Sequence, residues 1–178
     1  MDLQIVETGN GGDLVKKTKD LLTIEGFQNM PYLAMFGGNV REDTPTRRIA
    51  TQQNFDWWGN GLLMPNDQSL QFNSQTERAL NTIALTSSGR ALIEQAVAAD
   101  LKFMKAFAQV AVAVSIVATD KLVIGVRLQK PDNLEQRDFI YIWDATLKEL
   151  TLPYSAGNAP GVPPGNTGFD YNLDFNFI

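Results

Sequence analysis

The segments Val110-Ala111-Val112-Ala113-Val114-Ser115-Ile116-Val117 and Leu122-Val123-Ile124-Gly125-Val126-Arg127-Leu128 decide the fold. Side chains alternate across a strand, so Val110, Val112, Val114 and Ile116 share one face. Ala111, Ala113, Ser115 and Val117 share the other, and their small size predicts close packing there. Asp120-Lys121 supplies a turn, after which Leu122, Ile124, Val126 and Leu128 line one face of a partner strand. Residues 130–136 read as a loop, and Phe139, Tyr141 and Trp143 begin a third strand. The pattern is that of an antiparallel meander.

Upstream, the period changes to that of helices. Ser74-Gln75-Thr76-Glu77 has the form of a capping box, followed by Thr76, Ala79, Leu80 and Ile83 at helical spacing. A break at residues 86–89 precedes a second helix with an apolar stripe of Ile93, Ala96, Val97, Leu101 and Met104. Phe27, Met30 and Ala34, with Leu33 beside them, indicate an earlier helix, with Pro31 near its start and Gly37-Gly38 as its stop. Residues 3–8 and 14–23 flank the turn chemistry of Asn10-Gly11-Gly12 and predict an N-terminal hairpin. Residues 39–72 show little periodicity, as in a segment that is functional or wraps the domain. Helices followed by a meander give an α+β class, with the helices packed on one face of a small antiparallel sheet.

Composition narrows the chemistry. The 178 residues suffice for one domain with an arm, and include neither cysteine nor histidine. That removes disulfides, thiolate metal sites, the usual zinc sites, and Ser-His or Cys-His catalytic pairs. The net charge is −5, and the dense basic cluster Lys16, Lys17 and Lys19 is flanked by Asp13 and Asp20, so nucleic acid is not an expected partner. The longest apolar candidate, residues 106–118, is too short to cross a bilayer, and no membrane partner is expected. Met1-Asp2-Leu3-Gln4 has no basic stretch leading into an apolar one, so the expectation is a protein that works where it is made.

Residues 152–168 are rich in proline and glycine and read as an extended linker. The division expected is a domain over residues 1–150 and an arm over 151–178. After the linker, Phe169, Tyr171, Leu173, Phe175 and Phe177 alternate with polar residues, up to Ile178. Such an apolar stripe needs a sheet to dock on, either its own or that of a neighbouring subunit. The length of the linker favours the neighbour, and these five residues are the predicted partner-binding set.

Asp56, Glu77, Glu94 and Asp100 are candidates for an acid/base pair, but no two of them sit in a recognisable motif. Glu77 has a capping role, and Glu94 reads as solvated helix surface. Asn66-Asp67-Gln68 offers oxygen ligands but lacks the glycine and terminal glutamate of an EF-hand, and reads as a turn. No cofactor or metal is expected. In Phe55-Asp56-Trp57-Trp58-Gly59-Asn60, the paired indoles either anchor a long loop to the core or stack on sugar rings.

The order of these segments resembles that of the baseplate wedge proteins of Mu-like phages and prophages. These are themselves similar to the small wedge protein of T-even tails and its type VI secretion counterpart. The resemblance covers residues 14–143: Asp20-Leu21-Leu22-Thr23, a short helix ending near Met35-Phe36, a loop with proline and arginine, Trp57-Trp58-Gly59-Asn60, helices, and a valine-rich hairpin. Asn60 stands where many relatives carry an acidic residue, and residues 100–105 lack the Glu-Pro-Arg triplet of the T-even type. The resemblance implies a non-enzymatic structural component of a contractile tail, contacting other baseplate or sheath proteins. It would reside in the cytoplasm during assembly and then in the virion tail. Self-association through the C-terminal strand is a further expectation. The competing reading is a carbohydrate- or cell-wall-binding module, a degraded lysozyme-like protein using Trp57 and Trp58.

Overall fold

In a computed structural model of the chain, the described residues are 2–7, 12–24, 29–38, 62, 65–67, 71, 73–130, 136–155, 173 and 176–178. They form an α+β fold. Six short strands come first: β1 (Asp2–Leu3), β2 (Ile5–Glu7), β3 (Gly12–Leu14), β4 (Lys16–Lys17), β5 (Asp20–Leu21) and β6 (Thr23–Ile24). Helices α1 (Asn29–Phe36), α2 (Gln75–Thr82) and α3 (Ser87–Asp100) follow, then a 3-10 turn at Lys102–Ala106. The chain then runs through β7 (Gln109–Ile116), β8 (Lys121–Gln129), β9 (Gln136–Asp144), β10 (Glu149–Ser155) and β11 (Asn176–Phe177).

The main sheet has the order β10-β9-β8-β7-β11, with antiparallel neighbours throughout. Its register fixes which face each residue takes. Val114 lies opposite Ile124, and Ile124 opposite Tyr141, so the branched and aromatic residues form continuous rows. Those rows meet Ile93, Val97, Leu101 and Met104 of the α3 stripe, together with Met35 and Leu80 of the other helices. All of these except Leu80 are fully excluded from solvent, and Leu80 nearly so. On the second face, Ala111 and Ala113 are also buried, as small residues in a closely packed row should be. There Arg127 and Asp138, directly opposite one another, join by two charge-assisted hydrogen bonds of 2.9 and 2.8 Å.

The N-terminal region holds more than one hairpin. β2 pairs with β3 as expected, but the return strand expected over residues 14–23 is interrupted by a tight turn at Thr18, whose φ is 56°. Lys16-Lys17-Thr18-Lys19 is polar on both faces, so no buried face holds it in one extended strand. Three short ladders, β1–β6, β2–β3 and β4–β5, therefore meet at a junction. It is closed by a ring of backbone bonds: the Gln4 N–H donates to the Leu22 carbonyl, Val15 to Gln4, and Leu22 to Val15.

The helices are joined by capping chemistry. Ser74 is the N-cap of α2 and its Oγ accepts from the Glu77 N–H at 3.0 Å, as the capping box requires. The reciprocal half is replaced: the Ser74 N–H donates to the Gly38 carbonyl at 2.8 Å, and the Ser74 hydroxyl donates to the Met35 carbonyl. One buried serine thus closes both the C-terminal end of α1 and the N-terminal end of α2. Thr86 caps α3 through the Gly89 N–H. Gly89 is required for a different reason, since a Cβ there would sit 2.0 Å from the Ala84 carbonyl oxygen.

Proline in the linker meets the sheet at its margin. β10 continues through Pro153 to Ser155, across the boundary expected at residue 150, with a register shift between Thr151 and Tyr154. An edge strand with a bulge is the place where a residue lacking an N–H is tolerated.

Candidate functional site

β7 is nearly all apolar and lies beside the last described strand, so its outer edge is the most hazardous in the sheet if left bare. The chain's own terminus covers part of it. Asn176 lies opposite Val112 and Phe177 opposite Ala111, and the Ile178 N–H donates to the Val110 carbonyl at 3.0 Å. Ile178 packs against the hydrophobic core from the helix side. Phe177, on the second face, is 64% exposed.

Side chains from α3 complete this contact. The Asn176 Nδ2 donates to Glu94 Oε1 at 2.9 Å, while Glu94 Oε2 accepts from Arg90 Nη1 at 2.6 Å. Arg90 Nη1 also lies 3.2 Å from the Val114 carbonyl, so the guanidinium reaches the β7 edge just past the two β11 pairs. Glu94 and Arg90 are one helical turn apart on the same face, and α3 lies over β7. Glu94, expected as a solvated helix residue, therefore links helix and terminal strand.

Magnitudes can be set against one another for the described residues 176–178. The two pairs, the Ile178 bond and the Asn176–Glu94 bond amount to about four hydrogen bonds, each worth roughly 1 kcal/mol net. Burial of part of Ile178 adds about 1 kcal/mol. Ordering residues 176–178 costs roughly 1–2 kcal/mol per residue in backbone entropy. For this three-residue segment the two sides nearly cancel.

The strand's path also bears on the linker. Ser155, Phe139, Val126, Val112 and Asn176 form one row across the sheet, so the end of β10 and the start of β11 lie four strand spacings apart, about 19 Å. β10 and β11 point the same way, which obliges the intervening chain to cross the sheet and reverse along it. The linker thus has a span to cover even when the strand returns to its own sheet. Its length alone does not favour a neighbour.

Of the five predicted partner-binding residues, Phe177 and Leu173 are among the described ones, and Leu173 is partly buried. Phe169, Tyr171 and Phe175 lie outside the described residues, as do Trp57, Trp58, Gly59, Asn60 and Asp56. The other carboxylates are held in structural contacts. Asp100, at the C-terminal end of α3, accepts from the Gln75 and Thr76 N–H groups and from Thr76 Oγ1, all between 2.7 and 3.0 Å. It thereby places a carboxylate at the N-terminus of α2. Burial pushes the Asp100 carboxyl up from its ordinary value, against the pull of these Gln75 and Thr76 donors. Glu77 is buried in the first turn of α2, far in sequence from the terminal strand. Asn66 lies in a turn, as expected, beside Asp67.

Among the described residues, no group of three or more acidic side chains could hold a metal ion, and no helix is long and apolar enough to cross a membrane. Two polar groups in the core lack hydrogen-bond partners among the described residues: the Tyr141 hydroxyl, which burial pushes far above the usual phenol value, and the Trp143 indole N–H. Both side chains sit on the helix-facing side of β9, with Tyr141 against Phe36 at a ring separation of 5.8 Å. Comparison of the chain with family models, with curated proteins and with solved structures finds no match.

Proposed function

We propose that this protein is a non-enzymatic structural component of a contractile-tail baseplate, joining neighbouring subunits partly by β-strand addition. The observation that carries the assembly part is the apolar β7 edge, which among the described residues is paired by residues 176–178 along residues 110–112. Main-chain pairing at an exposed sheet edge is a recurrent means of joining proteins, with alternate side chains setting the register. Asp100 and Glu94, two of the carboxylates that catalysis would have needed, are instead engaged in helix capping and strand attachment. The contractile-tail setting rests on the resemblance of residues 14–143 to phage wedge proteins, in segment order and in the Trp57-Trp58-Gly59-Asn60 motif.

The test is genetic and structural. Removing the gene from a source strain that produces tail particles should leave tails without a complete baseplate, seen by electron microscopy. The protein itself should be found in purified wild-type particles by mass spectrometry. Normal contractile tails in the deletion strain, with the protein absent from wild-type particles, would overturn the proposal.

A further inference from the structure

We infer that the outer face of α3 and of the 3-10 turn after it, with Leu92, Ala99 and Phe103 beside Lys102 and Lys105, is a docking surface for an acidic amphipathic helix of a partner protein. The inference goes beyond the strand reading above and does not depend on it.

The surface follows from the periodicity of α3. At about 100° per residue, Ile93, Val97 and Leu101 turn inward, while Leu92, Ala99 and Phe103 fall within about 40° of one another on the outer side. Leu101 keeps right-handed helical backbone angles, so the helix runs on into the turn at Lys102–Ala106. With about three residues per turn there, Lys102 stacks on Lys105 and Phe103 on Ala106, while Met104 faces the core. The outward residues are open to solvent: Leu92 is 52% exposed and Phe103 41%, and Ala99, Ala106 and both lysines are exposed with them. Two large apolar side chains flank a small one, which lets a second helix approach closely at Ala99.

Charge says what the partner carries. Between Asp100 and Asp120 the only charged residues are Lys102 and Lys105. Among the described residues neither lysine forms an ion pair; Arg90 pairs with Glu94 and Arg127 with Asp138. The exposed polar residues on the outer side of α3, Ser88 and Gln95, include no carboxylate. Two free ammonium groups at one end of an apolar strip, in a chain of net charge −5, match carboxylates supplied from outside. A two-fold pairing of this face with itself would bring no acidic residue to the lysines, which argues against a second copy. A membrane surface is typically met by clusters of roughly four to eight basic residues, and here there are two. From Leu92 to Phe103 the strip runs about 16 Å, three turns of a helix that presents apolar residues along one side.

The test titrates the full chain against two fluorescein-labelled synthetic peptides at low ionic strength, read by anisotropy. The first is a helix of about four turns with leucines along one side and glutamates flanking them. The second carries lysines in place of the glutamates. The acidic peptide should bind saturably, and the basic one about tenfold more weakly. Phe103→Ser should weaken the acidic peptide about tenfold, since it removes the largest exposed apolar group of the strip. Lys102→Glu combined with Lys105→Glu should reverse the preference between the peptides. These side chains are exposed, so the variants should keep the wild-type circular dichroism spectrum; Leu92→Ser replaces Phe103→Ser if that variant does not.

Failure of the acidic peptide to bind, equal binding of the two peptides, or no reversal in the double lysine variant would overturn the inference. Two parallel measurements separate the other occupants. Binding of the chain to phosphatidylserine–phosphatidylcholine vesicles, without binding of the acidic peptide, would overturn it in favour of a membrane surface. A dimer in sedimentation that Phe103→Ser abolishes, again without peptide binding, would overturn it in favour of a second copy.

Discussion

Replacing Ser74 with alanine removes one oxygen that serves two helices. The substitution leaves the Glu77 N–H without its cap and the Met35 carbonyl without its donor, at a residue wholly excluded from solvent. An ordinary N-cap loss costs about 1 kcal/mol. Two groups left unsatisfied in the interior, each at roughly 1–3 kcal/mol, raise the cost because water cannot replace the hydroxyl. Some relaxation is expected, so the predicted loss is about 2–4 kcal/mol. Thr86 provides the control: it makes the same kind of cap bond, to the Gly89 N–H at 3.1 Å, but it is exposed. Thr86→Ala should therefore cost only about 0.5–1 kcal/mol. Urea unfolding followed by circular dichroism, with the m-value unchanged, measures both. Equal losses for the two variants would refute the argument that Ser74 acts as a buried joint between α1 and α2.

Three other substitutions test separate parts of the fold. Gly89→Ala should destabilise by about 2–3 kcal/mol in the same assay, because its Cβ would overlap the Ala84 carbonyl oxygen. Tyr141→Phe should leave stability unchanged or raise it by up to about 1 kcal/mol, since the buried hydroxyl has no partner among the described residues; thermal unfolding measures this. Asp100→Asn should alter the pH dependence. With its folded pKa raised, Asp100 binds a proton more readily in the folded state, so its burial penalty is absent below about pH 3.8 and develops as pH rises through the folded value. The wild type should thus lose stability relative to Asp100→Asn across that window, measured by urea midpoints at a series of pH values.

Periodicity exposed the parts of this fold that repeat. The Val110 and Leu122 rows, the Ile93–Met104 stripe and the Ser74 cap are all local patterns, and each occupies its predicted place. What depended on long-range pairing was not legible. The alternation of the tail marks Phe177 as part of an apolar stripe, yet its register opposite Ala111 leaves it exposed while Ile178 packs on the core. Nothing local to Glu94 signals that an asparagine 82 positions later will bind it. Asp100, in sequence a candidate for an acid/base pair, is brought by the fold to the start of α2, where it accepts from the Thr76 N–H. The second N-terminal turn had a readable cause in the two-sided polarity of residues 16–19, but its position required the pairing of Lys17 with Asp20.

Truncation tests most directly the proposal that the C-terminal strand joins this protein to its neighbours. A chain ending at residue 168 keeps the meander and the helices that supply the core, so it should unfold cooperatively with its α+β spectrum intact. Light scattering of the full-length and truncated proteins, alone and with purified tail components, should show assembly by the first and none by the second. Undiminished assembly by the truncated chain would contradict the account.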